Sequence, residues 1–521
     1  MTDQPGTWPE TIPATAKTAA ERWPDRIALI EGDERWAFAQ LWADARACGS
    51  AMLAHGVAHG DRIGIWAPNS RDWIIAALGA QIAGAAIVPM NTRFKGQEAA
   101  DILRRSHARL VFGPRQFLGT DYQALLAGED LPDLQDFIRI DCDFDAFLAR
   151  GKGADDPAVD DALARLSGDD VSDIIFTSGT TGRPKGVIAT HRQVVQTFGD
   201  WAERVDLREG DNHLIVNPFF HAFGYKAGWL ACLIRGATII PMAVFDGNEM
   251  FRQIEVNRIN FLPGPPTIYV MLLHELAGDQ QRDFSSLRAA VTGAAPVAPA
   301  LVQRMRNELG ISNVVNGYGM TECGVIAMTC RGDDAETIAH KCGYPMPGME
   351  VRCVDENGHD VPRGQAGEFW VRGPSVMQGY LDEPEATAEA IDADGWLHTG
   401  DVGTIDARGY LAITDRKKNM YISGGFNCYP AEIEKLLTAH PAIETAAVIG
   451  VPDERMGEVG KAFVVLRPGN DADEAGIIRW ARENMANYKV PRKVVLVDAL
   501  PRNAGGKVLR DALQELETTR I

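Results

Sequence analysis

The sequence contains no Cys-X-X-Cys pair, although it has eight cysteines. This spacing argues against a structural zinc site and against a disulfide framework, so free thiols in a reducing cytoplasm are expected. A long uninterrupted apolar run is also missing, because Gln81, Gly84 and Pro89 interrupt the longest candidate, residues 74–90. That stretch reaches only the lower limit for a membrane span. We expect a buried helix that turns at Gly84 into a short buried strand.

An excess of positive charge is lacking as well. Lysine and arginine number 52 against 71 aspartate and glutamate residues, and the formal net charge is −19. General attraction to nucleic acid or to an anionic membrane is therefore not expected. The first residues show no basic region followed by an apolar stretch, so no signal peptide is expected. Together these absences favour a cytoplasmic protein without stable membrane insertion.

Short β-branched runs alternate with helical patterns along much of the chain. Examples are residues 62–66, 173–176 and 447–450, and this alternation predicts an α/β fold with mainly parallel strands. Two stretches, residues 62–90 and 213–242, share one order of strand, turn, helix, Gly-Ala and strand. They predict two similar α/β subdomains side by side, and a cleft between such subdomains is a natural ligand site.

The pattern changes from Val351 onward. Short strands separated by turns, as in residues 351–358 and 367–372, predict a small β-rich subdomain. After Asp415 a charged segment opens a final unit, whose helix, strand and helix patterns predict a separate small α+β domain.

The strongest chemical signal is the run of glycines and hydroxyl residues at 177–186, directly after the strand at 173–176. Glycines allow close backbone approach to a ligand, hydroxyls donate to phosphate oxygens, and Lys185 supplies a positive charge. A Walker A loop requires Gly-Lys-Ser/Thr, whereas Pro184 and Gly186 flank Lys185 here. The sequence therefore predicts a phosphate-binding loop that differs from that of kinases and GTPases.

This segment resembles the phosphate loop of the adenylate-forming superfamily, which includes acyl-CoA synthetases, adenylation domains of peptide synthetases and firefly-type luciferases. The resemblance extends over essentially the whole chain. It implies an N-terminal AMP-binding domain at residues 1–416 and a small mobile C-terminal domain at residues 417–521, with a hinge near Lys418. It also implies ATP and Mg²⁺ as cofactors, coenzyme A as a co-substrate, and a homodimer as one of the assemblies found in the family.

Further motifs extend the resemblance to individual residues. Residues 318–322 are similar to the second family signature, in which Glu322 holds magnesium, a role that the match also assigns to Thr177. Asp401 matches the residue that binds both ribose hydroxyls, and residues 293–296 match the loop against which adenine lies. The full set of residues assigned to the nucleotide and to coenzyme A is Thr177, Ser178, Gly179, Thr180, Thr181, Gly182, Lys185, Gly293, Ala294, Ala295, Tyr318, Gly319, Thr321, Asp401, Arg416, Gly424, Gly425 and Phe426.

The C-terminal motifs imply two half-reactions on one mobile domain. Residues 501–507 match the catalytic-lysine loop, and residues 424–430 resemble the stretch that lines the pantetheine tunnel after the domain rotates. A carboxylate is adenylated first, and the acyl group then passes to coenzyme A. The residues assigned to catalysis are Lys507, Lys185, Glu322 and the hinge residue Lys418.

The resemblance also bears on the acceptor and the acid. Relatives that load a protein-bound acceptor often carry an insertion near the hinge, and none is evident between Leu411 and Lys418. No carrier domain follows residue 521, so free coenzyme A is expected. Amino-acid-activating relatives place an aspartate near residues 219–220, which is absent here. The residues assigned to the acyl pocket are His221, Phe223, Tyr225 and Cys323.

Residues 217–221, 224–228 and 262–266 look like those of ligases from steroid catabolism, which activate the propanoate side chain of a bicyclic indane remnant. This implies an acyl-CoA synthetase for a small ring-bearing propanoate. A ligase for medium- or long-chain fatty acids and a stand-alone adenylation enzyme with another acceptor remain open. A luciferase-like binding protein without thioester chemistry and a peptide-synthetase module are disfavoured by the intact motifs and by the missing aspartate and carrier domain.

Overall fold

A computed structural model describes residues 6–177, 183–279, 281–293, 297–355, 357–416, 421–428, 430–501, 508, 510 and 512–514. The chain divides into two compact units. The large unit comprises residues 1–92, 99–176 and 186–415, and the small unit comprises residues 93–98, 177–185 and 416–521. No helix in these described ranges is long and apolar enough to cross a membrane.

The first α/β layer of the large unit is a seven-stranded sheet. Its central strands are parallel and have almost continuous apolar sequences, since both faces of such a strand are buried. In spatial order the strands are Gly379–Tyr380, Lys185–Thr190, Val171–Thr177, Ala86–Pro89, Arg62–Ile65, Ala108–Gly113 and Asp136–Arg139. A separate two-stranded sheet, Gln116–Phe117 with Thr120–Asp121, comes after strand Ala108–Gly113 along the chain.

The second α/β layer consists of two four-stranded sheets. Isolated β-bridges through Phe261 connect the two sheets. One contains Asn212–Ile215, Thr238–Pro241, Ile27–Glu31 and Glu34–Ala37, and the other contains Ala289–Gly293, Asn313–Met320, Gly324–Met328 and Tyr344–Pro345.

The predicted repeat is present in both layers. Strand Arg62–Ile65 pairs in parallel with Ala86–Pro89, and strand Asn212–Ile215 pairs in the same way with Thr238–Pro241. Each pair ends on a proline, and a helical segment connects the two strands in each case. The expectation of two similar α/β subdomains is confirmed.

The apolar run at 74–90 also behaves as predicted. Helix Arg71–Ile82 is buried from Trp73 onward, and strand Ala86–Pro89 is buried throughout. Gly84 between them has a φ of +84°, a left-handed conformation that glycine adopts without steric cost.

Helices cover these sheets and supply most of the apolar core. In the described ranges the α-helices of the N-terminal part are Ile12–Arg22, Phe38–Ala54, Arg71–Ile82, Gly96–Ser106, Tyr122–Leu125, Phe144–Leu148, Pro157–Arg165, His191–Arg204, Ala222–Gly224, Ala231–Arg235, Gly247–Val256, Pro266–Gly278, Pro299–Asn307, Ala335–His340 and Pro384–Ala390. A π-helical turn, Tyr225–Leu230, lies between two of them.

The remaining sheets confirm two predictions: a β-rich subdomain after Val351 and an α+β unit near the end of the chain. Strands Glu350–Val354, Gly367–Arg372, Leu397–Ile405 and Leu411–Arg416 form the β-rich subdomain. In the small unit, strands Phe426–Cys428, Tyr421–Ser423, Gly457–Leu466, Ile443–Asp453 and Lys493–Leu496 form one sheet, and helices Pro430–Thr438 and Glu474–Asn484 accompany it.

Candidate active site

The second family signature lies where two parallel strands end together. Strands Ala289–Gly293 and Asn313–Met320 are parallel, with Gly293 opposite Gly317. Ligands of α/β sheets bind at the carboxyl ends of such strands. A Cβ on Gly293 would stand 3.0 Å from the carbonyl oxygen of Gly317, so the small residue permits this close approach. Ala294 and Ala295, which were assigned to adenine, lie outside the described residues.

The signature itself forms a tight hairpin. Strand Asn313–Met320 turns back into Gly324–Met328, and a Cβ on Gly319 would stand 2.0 Å from the carbonyl oxygen of Gly324. Gly319 therefore cannot be replaced without moving the hairpin. Thr321 and Glu322 lie on the turn and are half-buried.

Tyr318 links this hairpin to the predicted ribose site. Its hydroxyl donates to Oδ2 of Asp401 at 2.7 Å, across 83 positions of sequence. Burial, followed by the nearby Asp401 carboxylate, raises the pKa of Tyr318 well above its ordinary value, so the phenol stays a donor. The backbone N–H of Asp401 in turn donates to the hydroxyl of Thr399 at 3.1 Å. These contacts hold the Asp401 carboxylate in one orientation, as binding of two ribose hydroxyls requires.

Glu322 is held by a residue that sequence reasoning missed. The Tyr380 hydroxyl donates to Oε1 of Glu322 at 3.0 Å, and the Glu322 carbonyl accepts from the N–H of Met377 at 2.8 Å. Tyr380 is 58 positions away, and no local pattern indicates the contact.

The residues at this position fit magnesium of the kind that nucleotides carry. Within the described ranges, no group of three or more His, Cys, Asp or Glu side chains could hold a metal by itself. Magnesium in nucleotide sites takes one or two carboxylates, with phosphate and water oxygens as its other ligands. The half-buried, oriented carboxylate of Glu322 matches this requirement.

The ends of the predicted phosphate loop are described, and its middle is not. Thr177 ends strand Val171–Thr177 and Lys185 begins strand Lys185–Thr190, with 3.5 Å between Oγ1 of Thr177 and the carbonyl oxygen of Lys185. The remaining loop residues assigned to phosphate lie outside the described residues, namely Ser178, Gly179, Thr180, Thr181 and Gly182.

In the small unit, Gly424 and Gly425 form the turn between strands Tyr421–Ser423 and Phe426–Cys428. Their φ angles of +56° and +84° favour glycine at both positions. Phe426 stacks on Tyr488 with ring centroids 4.6 Å apart, a partner that the sequence did not reveal. Lys418 and Lys507 lie outside the described residues, and for Arg416 only the backbone is described.

The predicted acyl segment begins at His221, which caps the short helix Ala222–Gly224. Nδ1 of His221 accepts the N–H of Phe223 at 3.2 Å. The side chain is exposed to solvent, although protein atoms are dense around it. This surrounding, followed by the charge of Lys226, lowers the pKa of His221 below its ordinary value. A neutral imidazole that accepts at Nδ1 carries its proton at Nε2, where it can donate to a ligand.

The other assigned pocket residues differ in exposure. Phe223 is half-buried and meets the Trp201 ring edge-on at 6.4 Å. Tyr225 is fully buried and stacks on Trp229, with ring centroids 4.9 Å apart, so both rings belong to the core of the large unit. Burial raises the pKa of the Cys323 thiol to about 12, and its sulfur lies 3.4 Å from the hydroxyl of Ser375. The thiol therefore stays protonated at neutral pH. The pocket assignments remain predictions.

Comparisons with known proteins identify the class of this protein. Residues 16–381 match the AMP-binding enzyme family, and residues 432–507 match the AMP-binding enzyme C-terminal domain. The chain belongs to this family. The predicted family, fold class and reaction class are confirmed: the protein is an acyl-CoA synthetase that uses ATP, magnesium and coenzyme A.

Particular relatives are similar over nearly their whole length. The 3-[(3aS,4S,7aS)-7a-methyl-1,5-dioxo-octahydro-1H-inden-4-yl]propanoyl:CoA ligase of Mycobacterium tuberculosis is 50% identical, with 97% of this chain and 99% of that protein covered. The ligase of the same name from Rhodococcus jostii is 47% identical, with 99% of each chain covered. The solved structure of o-succinylbenzoate CoA synthetase from Bacillus subtilis, bound to a product analogue, has a TM-score of 0.80 at 27% identity, covering 96% of this chain and 98% of that one.

The Tyr318–Asp401 contact allows a direct test of the ribose site. Tyr318→Phe removes one hydrogen bond to a charged group, and we expect the KM for ATP to rise roughly tenfold. The matched control is Tyr410→Phe, because the Tyr410 hydroxyl also contacts a carboxylate, Asp333, at 3.1 Å. Steady-state diphosphate release measures both variants. An equal rise of the ATP KM in Tyr318→Phe and Tyr410→Phe would contradict a role of Tyr318 in the ribose site.

Proposed function

We propose that this enzyme ligates coenzyme A to a compact, ring-bearing propanoate related to the indane propanoate of steroid degradation. The observation that carries this proposal is the near-full-length similarity to two ligases named for that acyl group. In the reaction a carboxylate oxygen attacks the α-phosphorus of ATP and releases diphosphate, and the coenzyme A thiol then attacks the acyl carbon and releases AMP.

The residues assigned to the site are proposed to divide this work among them. We assign ribose binding to Asp401, whose carboxylate Tyr318 orients, and magnesium binding to Glu322, whose carboxylate Tyr380 orients. Lys185 and Lys507 are proposed to offset charge that develops on the phosphates. Positioning and charge neutralisation are the main contributions a protein makes to such a transfer.

The domain assignment is part of the same proposal. Residues 1–416 bind the nucleotide and the acid, and residues 417–521 turn about Lys418 between the two half-reactions. Hinged movement of a small domain lets one site complete two different steps. A cytoplasmic location is proposed as well, and the eight free cysteines support it.

The acyl pocket is proposed to lie beside His221 and Phe223. The half-buried ring of Phe223, with the buried Trp201 ring packed edge-on behind it, offers a rigid apolar surface, which suits an alicyclic body better than a long flexible chain. Burying such a body contributes about 25 cal/mol per Å² of apolar area. His221 carries a proton at Nε2, which could meet a polar group of the ring system or of the carboxylate.

The experiment compares kcat/KM for the indane propanoate, cyclohexylpropanoate, octanoate and palmitate by coenzyme A-dependent AMP release. We expect both ring acids to exceed octanoate by roughly tenfold or more, and palmitate to be poorest, since a hydrophobic pocket discriminates by about 10–200-fold. Palmitate as the best substrate would refute the compact pocket. A preference for octanoate over both ring acids would remove the ring-bearing substrate and leave the ligase class intact.

A further inference from the structure

Two opposite charges are buried together in the large unit, next to the predicted acyl segment. Nζ of Lys226 lies 2.8 Å from Oδ1 of Asp173, and the two side chains are 6% and 0% exposed. Burying an ion pair in this way adds little stability compared with a well-packed apolar pair, because both charges lose their water. The pair therefore calls for an explanation other than stability.

Lys226 is part of an unusual helical turn. It lies in the π-helical turn Tyr225–Leu230, in which Gly228 departs from helical geometry with φ −89° and ψ −106°. Gly228 therefore marks a kink at which two helical segments meet. The turn starts immediately after the short helix that His221 caps, and the N–H of Tyr225 donates to the carbonyl oxygen of His221 at 3.0 Å. The backbone of Tyr225, directly before Lys226, is therefore hydrogen-bonded to that of His221.

A second set of contacts joins the same turn to the sheet. Nε2 of Gln81 donates to the Tyr225 hydroxyl at 3.0 Å and to the carbonyl oxygen of Ser172 at 3.2 Å. The hydroxyl of Ser172 lies 2.8 Å from Oδ2 of Asp173. Gln81, Ser172, Asp173, Tyr225 and Lys226 thus form one buried polar network within an apolar core. Buried polar contacts of this kind help to specify how the elements that they join are arranged.

The network reaches the strand that leads in sequence into the phosphate loop. Asp173 lies on strand Val171–Thr177, and Thr177 is the first residue of the predicted loop. The short helix also packs closely on the backbone that precedes it, because a Cβ on Gly224 would stand 2.2 Å from the carbonyl oxygen of Pro218. The acyl segment is thus tied to this strand by buried polar contacts instead of by apolar packing alone.

We propose that the Lys226–Asp173 ion pair is a positioning device that holds the His221–Phe223 wall of the acyl site against strand Val171–Thr177. Through this tie it determines the preference for a rigid, compact acid over a flexible chain. The inference deepens the proposed function and rests on its assignment of the acyl pocket to His221 and Phe223. Lys226 and Asp173 act through His221 and Phe223 and touch no substrate themselves. The charge of Lys226 also helps to lower the pKa of His221, which agrees with a direct influence on that residue.

The test separates positioning from fold stability with three variants. Asp173→Asn and Lys226→Met each leave one buried charge unpaired, and the double variant removes both charges with little change in volume. Removing one partner of a buried pair is strongly destabilising, whereas replacing both is often neutral. We therefore expect the melting temperature to fall in each single variant and to recover in the double variant.

The deciding measurement is made on the double variant. We expect its KM for the preferred ring acid to rise at least about tenfold, its KM for ATP to stay within about twofold, and its ring-acid preference over octanoate to shrink at least about fivefold. The matched control is Asp283→Asn with Arg258→Met, an exposed ion pair of 2.6 Å in the same unit, which should leave all three quantities unchanged.

The proposal would be overturned if the double variant regained the wild-type acid KM and acid preference together with the wild-type melting temperature. The ion pair would then serve stability alone. An equal loss of ATP and acid affinity would also overturn it. If the wild-type enzyme prefers octanoate, the proposed substrate is wrong. The positioning role of the ion pair is then tested by comparing kcat/KM for the best acid with kcat/KM for palmitate in the wild type and in the double variant. The two failures are therefore distinguishable.

Discussion

Replacing Lys507 with alanine is expected to lower the rate of acyl-adenylate formation by about 10²–10³-fold. Lys507 follows two glycines, Gly505 and Gly506, in the segment that matches the catalytic-lysine motif, and a lysine ammonium is a compact point charge. Its proposed task is to offset the negative charge that develops when diphosphate leaves. Lys507 lies outside the described residues, so the expectation rests on the matching motif and on the general size of such electrostatic effects.

The same substitution should largely spare the second half-reaction. If residues 417–521 rotate about Lys418, Lys507 leaves the site before coenzyme A attacks, and transfer from supplied acyl adenylate then proceeds within a few-fold of the wild-type rate. Single-turnover assays of each half-reaction measure this difference. Lys493→Ala is the matched control, since Lys493 is an exposed lysine on strand Lys493–Leu496 of the same unit. Equal loss of both half-reactions in Lys507→Ala would contradict the assignment.

Glu322→Gln is expected to raise the magnesium concentration for half-maximal adenylation by roughly tenfold to a hundredfold. The amide keeps the shape of the carboxylate and can still accept a hydrogen bond from the Tyr380 hydroxyl. In the structure this hydroxyl lies 3.0 Å from Oε1 of Glu322. It loses the negative charge that a hard cation requires, and magnesium depends on very few protein carboxylates in sites of this kind. Changes even in the groups that orient metal ligands alter metal affinity by about 10–100-fold.

The measurement is a magnesium titration of diphosphate release at saturating ATP and acid. Glu350→Gln is the control, because Glu350 is an exposed glutamate of the same unit that pairs with Arg372. The melting temperatures of both variants should stay close to that of the wild type, since neither change opens a cavity. An unchanged titration in Glu322→Gln would exclude Glu322 as a magnesium ligand.

Local patterns were sufficient for much of the fold. The alternation of buried strands and helices, the repeat at 62–90 and 213–242, and the turn at Gly84 all depend on neighbouring residues, and the structure reproduces them. The β-rich segment after Val351 was visible for the same reason, since short strands and turns follow one another there, and strand Gly367–Arg372 alternates between buried and half-buried positions. Side-chain periodicity is a short-range property, and it can therefore be read without knowing what packs against it.

The contacts that orient the site could not be read in this way. Tyr380 holds Glu322 and Tyr318 holds Asp401 across 58 and 83 positions of sequence, and each contact depends on how separate sheets and loops are placed. Asp173 and Lys226 are each a lone charge beside apolar residues in the sequence, yet nothing in the sequence indicates that the two pair with each other. Buried polar partners are determined by packing, which no sequence spacing records.

The acyl segment shows the same division most clearly. The sequence placed His221, Phe223 and Tyr225 in one stretch and assigned them together to a pocket. The tertiary structure makes His221 accessible, leaves Phe223 half-buried and places Tyr225 wholly in the core. The motifs of this chain indicated the family and the reaction through their resemblance to the adenylate-forming superfamily, because phosphate, ribose and metal chemistry require particular residue types. Only the tertiary structure decided which of these side chains are exposed and which are buried, because solvent exposure depends on every element that packs around a residue.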